Sequence, residues 1–252
     1  MPWRSPFATF TTRKQPRCKL RVDSEMMLVT AIVLALLLPP GGSSALPAEK
    51  GSGSPEIRFS FDHPQLDPSA YTLVIHADGS GHYRSTPGPS SGPGIDGYAS
   101  SPSERDLTVR DPLLANLFQT ARSHRYFAMD CDATDVRIAF TGKKTVAYAG
   151  SDGNGECSYN WSHDKELNQL ADDLMAIAFT LHEGNRLALE HTHSRLSLDS
   201  ELENLQDAVK DRRALEIDNI APVLEAIADD SAVMNRARNR ARALLNHETG
   251  KH

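Results

Sequence analysis

Polar and apolar residues alternate along 56–61 (EIRFSF), the pattern of a strand with one face buried and one face wet. The same alternation returns at 71–77 (YTLVIHA). Asp78-Gly79-Ser80-Gly81 then leads into His82 to Ser85, and Asp-Gly is hairpin chemistry because those positions need positive φ. Leu107 to Arg110 fits a short strand. Asp111 can cap a helix with Pro112 at its first position, where the missing N–H costs nothing. Leu113, Leu114, Leu117, Phe118 and Ala121 give that helix one apolar face, and it should end near His124. Val136 to Phe140 and Thr145 to Tyr148 predict a second hairpin around Gly142-Lys143-Lys144, with 150–155 (GSDGNG) as a loop beyond it.

Ser162 is the predicted cap of a long helix, with Asp164 and Glu166 in its first turn, where negative charge is favoured. Leu167, Leu170, Leu174, Ile177, Ala178 and Leu181 form its stripe, and Gly184 is expected to bend or end it. From Leu198 the chain reads as helical throughout. Leu202, Leu205, Ala208 and Val209 form one stripe; Ile217, Ile220, Leu224 and Ile227 form the next, with Pro222 at a helix start. Ser231 is the expected cap of a last helix that turns Val233, Met234, Ala237, Ala241 and Leu244 inward. This order predicts an α+β fold: a small antiparallel sheet from two β-hairpins packed with helices, followed by an α-helical C-terminal extension.

Upstream, Met26 to Leu38 is an apolar run with no charged residue, preceded by Arg13, Lys14, Arg17, Lys19 and Arg21 and followed by Pro39-Pro40-Gly41-Gly42. A basic region, a short apolar stretch and small residues define a secretory signal. Ser43-Ser44-Ala45 predicts cleavage between Ala45 and Leu46. The run is shorter than the roughly 20 residues a bilayer-spanning helix wants. The alternative is a single-pass anchor at 26–38. Four segments follow: a signal peptide or signal-anchor at 1–45, a flexible linker at 46–55, an α+β domain at 56–187 with a disordered Pro/Gly/Ser-rich loop at 86–103, and a helical extension at 188–252. The formal charge is −6, and removing the basic leader makes the remainder more acidic. That argues against a nucleic-acid binder, which needs clustered cations. Membrane contact is expected only through the N-terminal segment, if it is uncleaved.

The succession YTLVIHADGSGHY, DPLLANLFQTARSHRYF, DVRIAFTGKKTVAYAG and ELNQLADDLMAIA resembles an uncharacterised bacterial domain family of exported proteins. The resemblance covers about 56–187 and implies a periplasmic or secreted protein. It carries no catalytic residues.

Cys131 and Cys157 bracket the second predicted hairpin, and export would place them where paired cysteines bond. A disulfide is therefore expected. The sharper reading, a Cys157 nucleophile with His163 as base, lacks a visible oxyanion site. Asp152, Asn154 and Glu156 start like a calcium loop, but Cys157 stands where Gly belongs and His163 where Glu belongs. His182, His191 and His193 lack the i,i+4 spacing of helical metal ligands. Ser100, Ser101 and Ser103 sit in no nucleophile elbow. Asp62, His63, Asp78 and His82 could assemble near the first hairpin. Arg236, Arg238, Arg240 and Arg242 form two i,i+4 rows, which acidic neighbours such as Glu201, Glu203 and Asp207 are expected to neutralise. Asn160-Trp161-Ser162 matches a glycosylation sequon, relevant only in a eukaryotic route. Tyr126, Phe127, Tyr159 and Trp161 are expected to cover the disulfide. No catalytic, cofactor or metal residue is assigned. The favoured reading is an exported, non-enzymatic binding or structural module whose partner is another envelope protein or polymer. The alternative is an envelope hydrolase with an acid/base site at the hairpin turns.

Overall fold

The computed structural model describes residues 54–89 and 102–249. The leader with its cut between Ala45 and Leu46, most of the linker, and the centre of the 86–103 loop lie outside the described residues. Six strands form one antiparallel sheet: β1 (Glu56–Asp62), β2 (Ala70–His76), β3 (Ser80–Thr86), β4 (Ser103–Thr108), β5 (Lys143–Gly150) and β6 (Gly153–Tyr159). Their order in space is β4-β3-β2-β1-β5-β6. The described α-helices are α1 (Leu113–Ser123), α2 (Lys165–His193), α3 (Leu198–Lys210), α4 (Ala221–Asp229) and α5 (Asn235–Thr249). The fold is α+β. No helix among the described residues is long and apolar enough to cross a membrane.

Alternation puts one apolar face inward. Ile57, Phe59 and Phe61 of β1 lie beside Leu73 and Ile75 of β2 and Val146 and Tyr148 of β5, all buried. Tyr83, Leu107, Cys157 and Tyr159 extend this layer to both edges, and Leu117, Phe118 and Ala121 of α1 cover it together with Leu167 to Leu181 of α2. A second cluster joins Leu187 of α2 to Leu202, Leu205, Ile217, Ile220, Leu224, Ile227, Ala237 and Leu244. One helix of 29 residues thus serves both cores, running unbroken through residues 187 and 188.

The Asp78-Gly79 hairpin is present, with Gly79 at φ +85°. The second hairpin is not where its alternation pointed. Val136 to Phe140 belong to no strand, and β5 pairs instead with β6 through a turn at Ser151-Asp152. The inward positions of β6 begin with Gly153 and Gly155, so the strand shows little apolar periodicity. These glycines make room for the chain at 126–128. A Cβ on Gly153 would stand 2.3 Å from the Tyr126 ring, and one on Gly155 would stand 2.5 Å from the Tyr126 carbonyl oxygen. Arg125, Tyr126 and Phe127 all adopt positive φ there, which costs non-glycine residues energy. Burial of Phe127 and the 5.0 Å contact between the Tyr126 and Tyr148 rings offset it.

Three helix boundaries also differ. Asp164, not Ser162, caps α2: its Oδ1 accepts from the backbone N–H of Glu166 at 2.9 Å and of Leu167 at 3.1 Å, while Ser162 Oγ accepts from Asp164 N. Gly184 neither ends nor bends α2 to a stop; it lets Ile220 approach, since a Cβ would come within 2.2 Å of Ile220 Cγ2. The last helix starts at Asn235, because Asp230 instead of Ser231 takes the turn, its Oδ1 accepting from Ala232 N at 2.8 Å.

The other oxygen of Asp164 meets His124 Nε2 at 2.9 Å. Burial alone would raise its pKa, but the Leu167 N–H and His124 outweigh burial and hold it below the usual carboxylate range. A carboxyl that is more acidic folded than unfolded adds stability above its ordinary pKa, and loses that contribution as pH falls through the lowered folded value. Asp164→Asn keeps a competent cap but removes the charge. It is expected to cost about 1 kcal/mol at neutral pH, with the gap to wild type closing in acid. Urea unfolding across the acid range measures this; a gap independent of pH would refute it.

Candidate functional site

The helices cover one face of the sheet. On the other face, every outward residue of the six strands is at least partly exposed. The register lines up one row across the sheet: Ser158, Thr145, Ser60, Thr72, Arg84 and Glu104. Its hydroxyls bond in pairs, Thr145 Oγ1 to Ser158 Oγ at 2.7 Å and Ser60 Oγ to Thr72 Oγ1 at 3.2 Å. Three close side-chain pairs also lie on this face. Arg84 meets Glu104 at 2.8 Å, His82 meets Asp106 at 3.0 Å and Arg58 meets Glu56 at 3.2 Å. A shallow cavity of about 440 Å³ opens at one end, lined by Ser60, Asp62, Tyr71, Thr72, Lys143 and Thr145. At the same end, the Phe140 ring stacks on His63 at 5.3 Å and is 55% exposed. The outward Ser and Thr positions were readable as the polar half of the alternation. Their alignment into a row depends on pairings between distant strands.

The residues proposed for an acid/base site do not come together. Asp62 and His63 lie at the end of the sheet where Asp62 pairs with Ala70, whereas Asp78 lies in the turn at the opposite end. Asp152 shares that opposite end. The turns holding Asp78 and Asp152 are three strand spacings apart, about 14 Å. The Asp152 carboxylate is also committed: Tyr148 Oη donates to it at 2.7 Å and Arg122 Nε at 3.1 Å. These bonds hold Asp152 below the usual carboxylate range, while burial and Asp152 push Tyr148 up to about 12. Asn154 and Glu156 lie outward on β6, so the 152–156 segment is a hairpin and not a cation loop.

Cys131 and Cys157 are bonded, with Cα atoms 6.1 Å apart. The bond fastens the irregular stretch after α1 to edge strand β6. Cys157 therefore presents no thiol to His163, whose Nε2 instead meets Asp135 at 2.8 Å. Phe127 and Tyr159 are buried in the same cluster as both cysteines, and Trp161 packs edge-on against His163 at 4.9 Å. The Asn160 side chain is engaged as well: it accepts from Thr141 N at 2.8 Å and donates to the Ala139 carbonyl at 3.1 Å.

Among the described residues, no three His, Cys, Asp or Glu side chains gather as a metal site. His191 Nε2 bonds Asp230 at 2.9 Å, and His182 lies half-buried further back on α2. Three of the arginines of α5 fasten it to its neighbours. Arg236 and Arg240 both grip Asp199 of α3, Arg240 adds Glu203 at 2.9 Å, and Arg242 donates to the Ala228 carbonyl at 2.6 Å. Asp199 was not among the acidic partners expected from the sequence, because its place at the start of α3 gives no hint that α5 folds back over it.

Two features define the class: an antiparallel sheet with one polar face that no helix among the described residues covers, and helices that serve as cover and clasp for the other. The chain matches no family model and no curated protein.

Proposed function

We propose that this is an exported bacterial protein whose disulfide-closed α+β domain is a non-enzymatic binding module of the cell envelope or extracellular space. The observation that carries the reading is the open sheet face. Several of its charges close on one another, a row of hydroxyls crosses it, and an exposed aromatic ring stands at one end of the sheet. Such a face offers hydrogen bonds and an aromatic contact, and its carboxylates outnumber its Arg and Lys residues, so it suits a neutral, hydroxyl-rich envelope polymer better than a polyanion. Export is supported by the basic-then-apolar leader, the bonded cysteine pair and the resemblance to exported bacterial domains.

Cell fractionation with N-terminal sequencing and intact mass tests the address. The expected product starts at Leu46 and carries the mass deficit of one disulfide. A cytosolic product retaining Met1, with alkylatable Cys131 and Cys157, would overturn export. Co-sedimentation with isolated envelope polymer tests the face. Ser60→Lys combined with Thr72→Lys is expected to abolish binding, while Arg213→Glu on the helical side leaves it unchanged. Equal binding by all three proteins would remove the sheet face from the proposal.

A further inference from the structure

Three carboxyl groups meet one guanidinium where α3 packs on α2. Arg186 of α2 reaches Glu201 of α3 at 2.5 Å, and on its own helix Glu190 at 3.3 Å and Glu183 at 3.8 Å. Glu183 is 7% exposed and Glu201 9%, and the Glu190 side chain is only 12% exposed. With all three ionised, the seam would hold three negative charges against one positive. It is also short of a donor. One oxygen of Glu201 is held by Arg186, while the other, Oε2, is buried and has no hydrogen-bond partner. The Ser197 hydroxyl goes to Glu190 at 3.0 Å.

The neighbouring elements bring no second cation to the trio. On α5, Arg236 and Arg240 hold Asp199, and Arg240 also holds Glu203. On β4, Arg105 packs beside Gly184, but its charge acts on Tyr83. On α2 itself, burial and Arg186 disfavour the protonated form of His182, with Asp67 opposing them. The charges that act on Glu183 and Glu190 are Arg186 and the other members of the trio. Burial is the largest influence on both carboxyls and raises them above the usual carboxylate range; the like charges add to it and Arg186 opposes it. Buried charge without enough counter-charge, and a buried acceptor without a donor, both cost free energy.

We propose that the Glu183–Glu190–Glu201 seam is a proton-binding site that makes the hold of α3 on α2 sensitive to pH. A bound proton removes one negative charge from a trio served by a single cation. It also turns one carboxylate into an O–H donor, where a buried acceptor lacks one. The proton belongs to the trio as a unit, because carboxyls this closely coupled titrate together. Carboxyls that are less acidic folded than unfolded add stability that is complete below their ordinary pKa and is lost as pH rises through the raised folded value. This is the opposite of Asp164, whose contribution is lost in acid. Leu198, Leu202 and Leu205 of α3 belong to the second core, so a seam that loosens as the proton leaves loosens the attachment of that core to α2. The inference does not depend on the sheet-face reading.

The test is urea unfolding of the full-length, disulfide-bonded protein from the ordinary carboxylate range to above neutrality, with carboxyl carbon NMR of the glutamates over the same range. In wild type, at least one glutamate is expected to titrate above the ordinary carboxylate range, and Glu183→Gln is expected to bring the remaining members back toward it. Above that titration, Glu183→Gln should lower the unfolding equilibrium constant at least about threefold relative to wild type, with the advantage vanishing in acid, where wild type has taken up its proton. Arg186→Gln should do the reverse, raising the constant at least about tenfold at neutral pH and much less in acid. Glu190→Gln carries the same expectation as Glu183→Gln should that variant fold poorly. Glu225→Gln, exposed on α4, is the control and should show no such pH-dependent gap. Gaps for Glu183→Gln and Arg186→Gln that stay constant with pH, or glutamates that all titrate in the ordinary range, would overturn the proposal.

Discussion

Phe59→Ala is expected to cost about 3–5 kcal/mol of folding stability, the range for emptying a buried phenylalanine site. Phe59 lies on the central strand, paired with Leu73 on one side and Val146 on the other, and is 0% exposed. Its ring packs at 6.2 Å against that of Tyr71. Strands hydrogen-bonded on both sides cannot close over the gap, so most of the void persists. A loss of this size is a large part of the stability typical of natural domains. Phe140→Ala makes the control. That ring is mostly in solvent, and its removal is expected to change stability by about 0.5 kcal/mol or less. Urea unfolding of both variants measures the contrast. A similar midpoint shift for the two would mean that the sheet does not pack as described.

Replacing both Cys131 and Cys157 with serine is expected to lower stability by about 3.5 kcal/mol, as the chain-entropy relation gives for a loop of this length. The bond spans 26 residues, and much of that span, from Cys131 to the start of β5, has no regular secondary structure. Untied, the stretch gains conformations in the unfolded chain and loses its anchor on β6 in the folded one. Reductant should bring the wild type down to the level of the double variant and leave the variant unmoved. Equal urea midpoints for oxidised wild type and variant would show that the cross-link carries no stability.

Phe59 and Phe140 also show how far sequence reading reaches. Both sit in alternating apolar runs, EIRFSF and VRIAF, and period-two alternation cannot tell them apart. One run is a central strand. The other leaves Val136, Ile138 and Phe140 exposed. Conversely, β6 carries glycine at inward positions and looked like a loop, because its cover comes from the backbone of Tyr126 and Ala128.

Local chemistry was enough for the α+β class, the Asp78-Gly79 hairpin, the stripe of α2, the run of C-terminal helices and the pairing of the two later cysteines. Each rests on neighbours within a turn or strand, or on the few partners available. Tertiary structure alone decided which apolar run became a strand, that α2 would pass Gly184 and serve two cores, that Asp199 would anchor α5, and that no helix among the described residues would cover the second face of the sheet. Those outcomes depend on surfaces brought together from distant parts of the chain, and whether a surface finds cover is not encoded in its own periodicity.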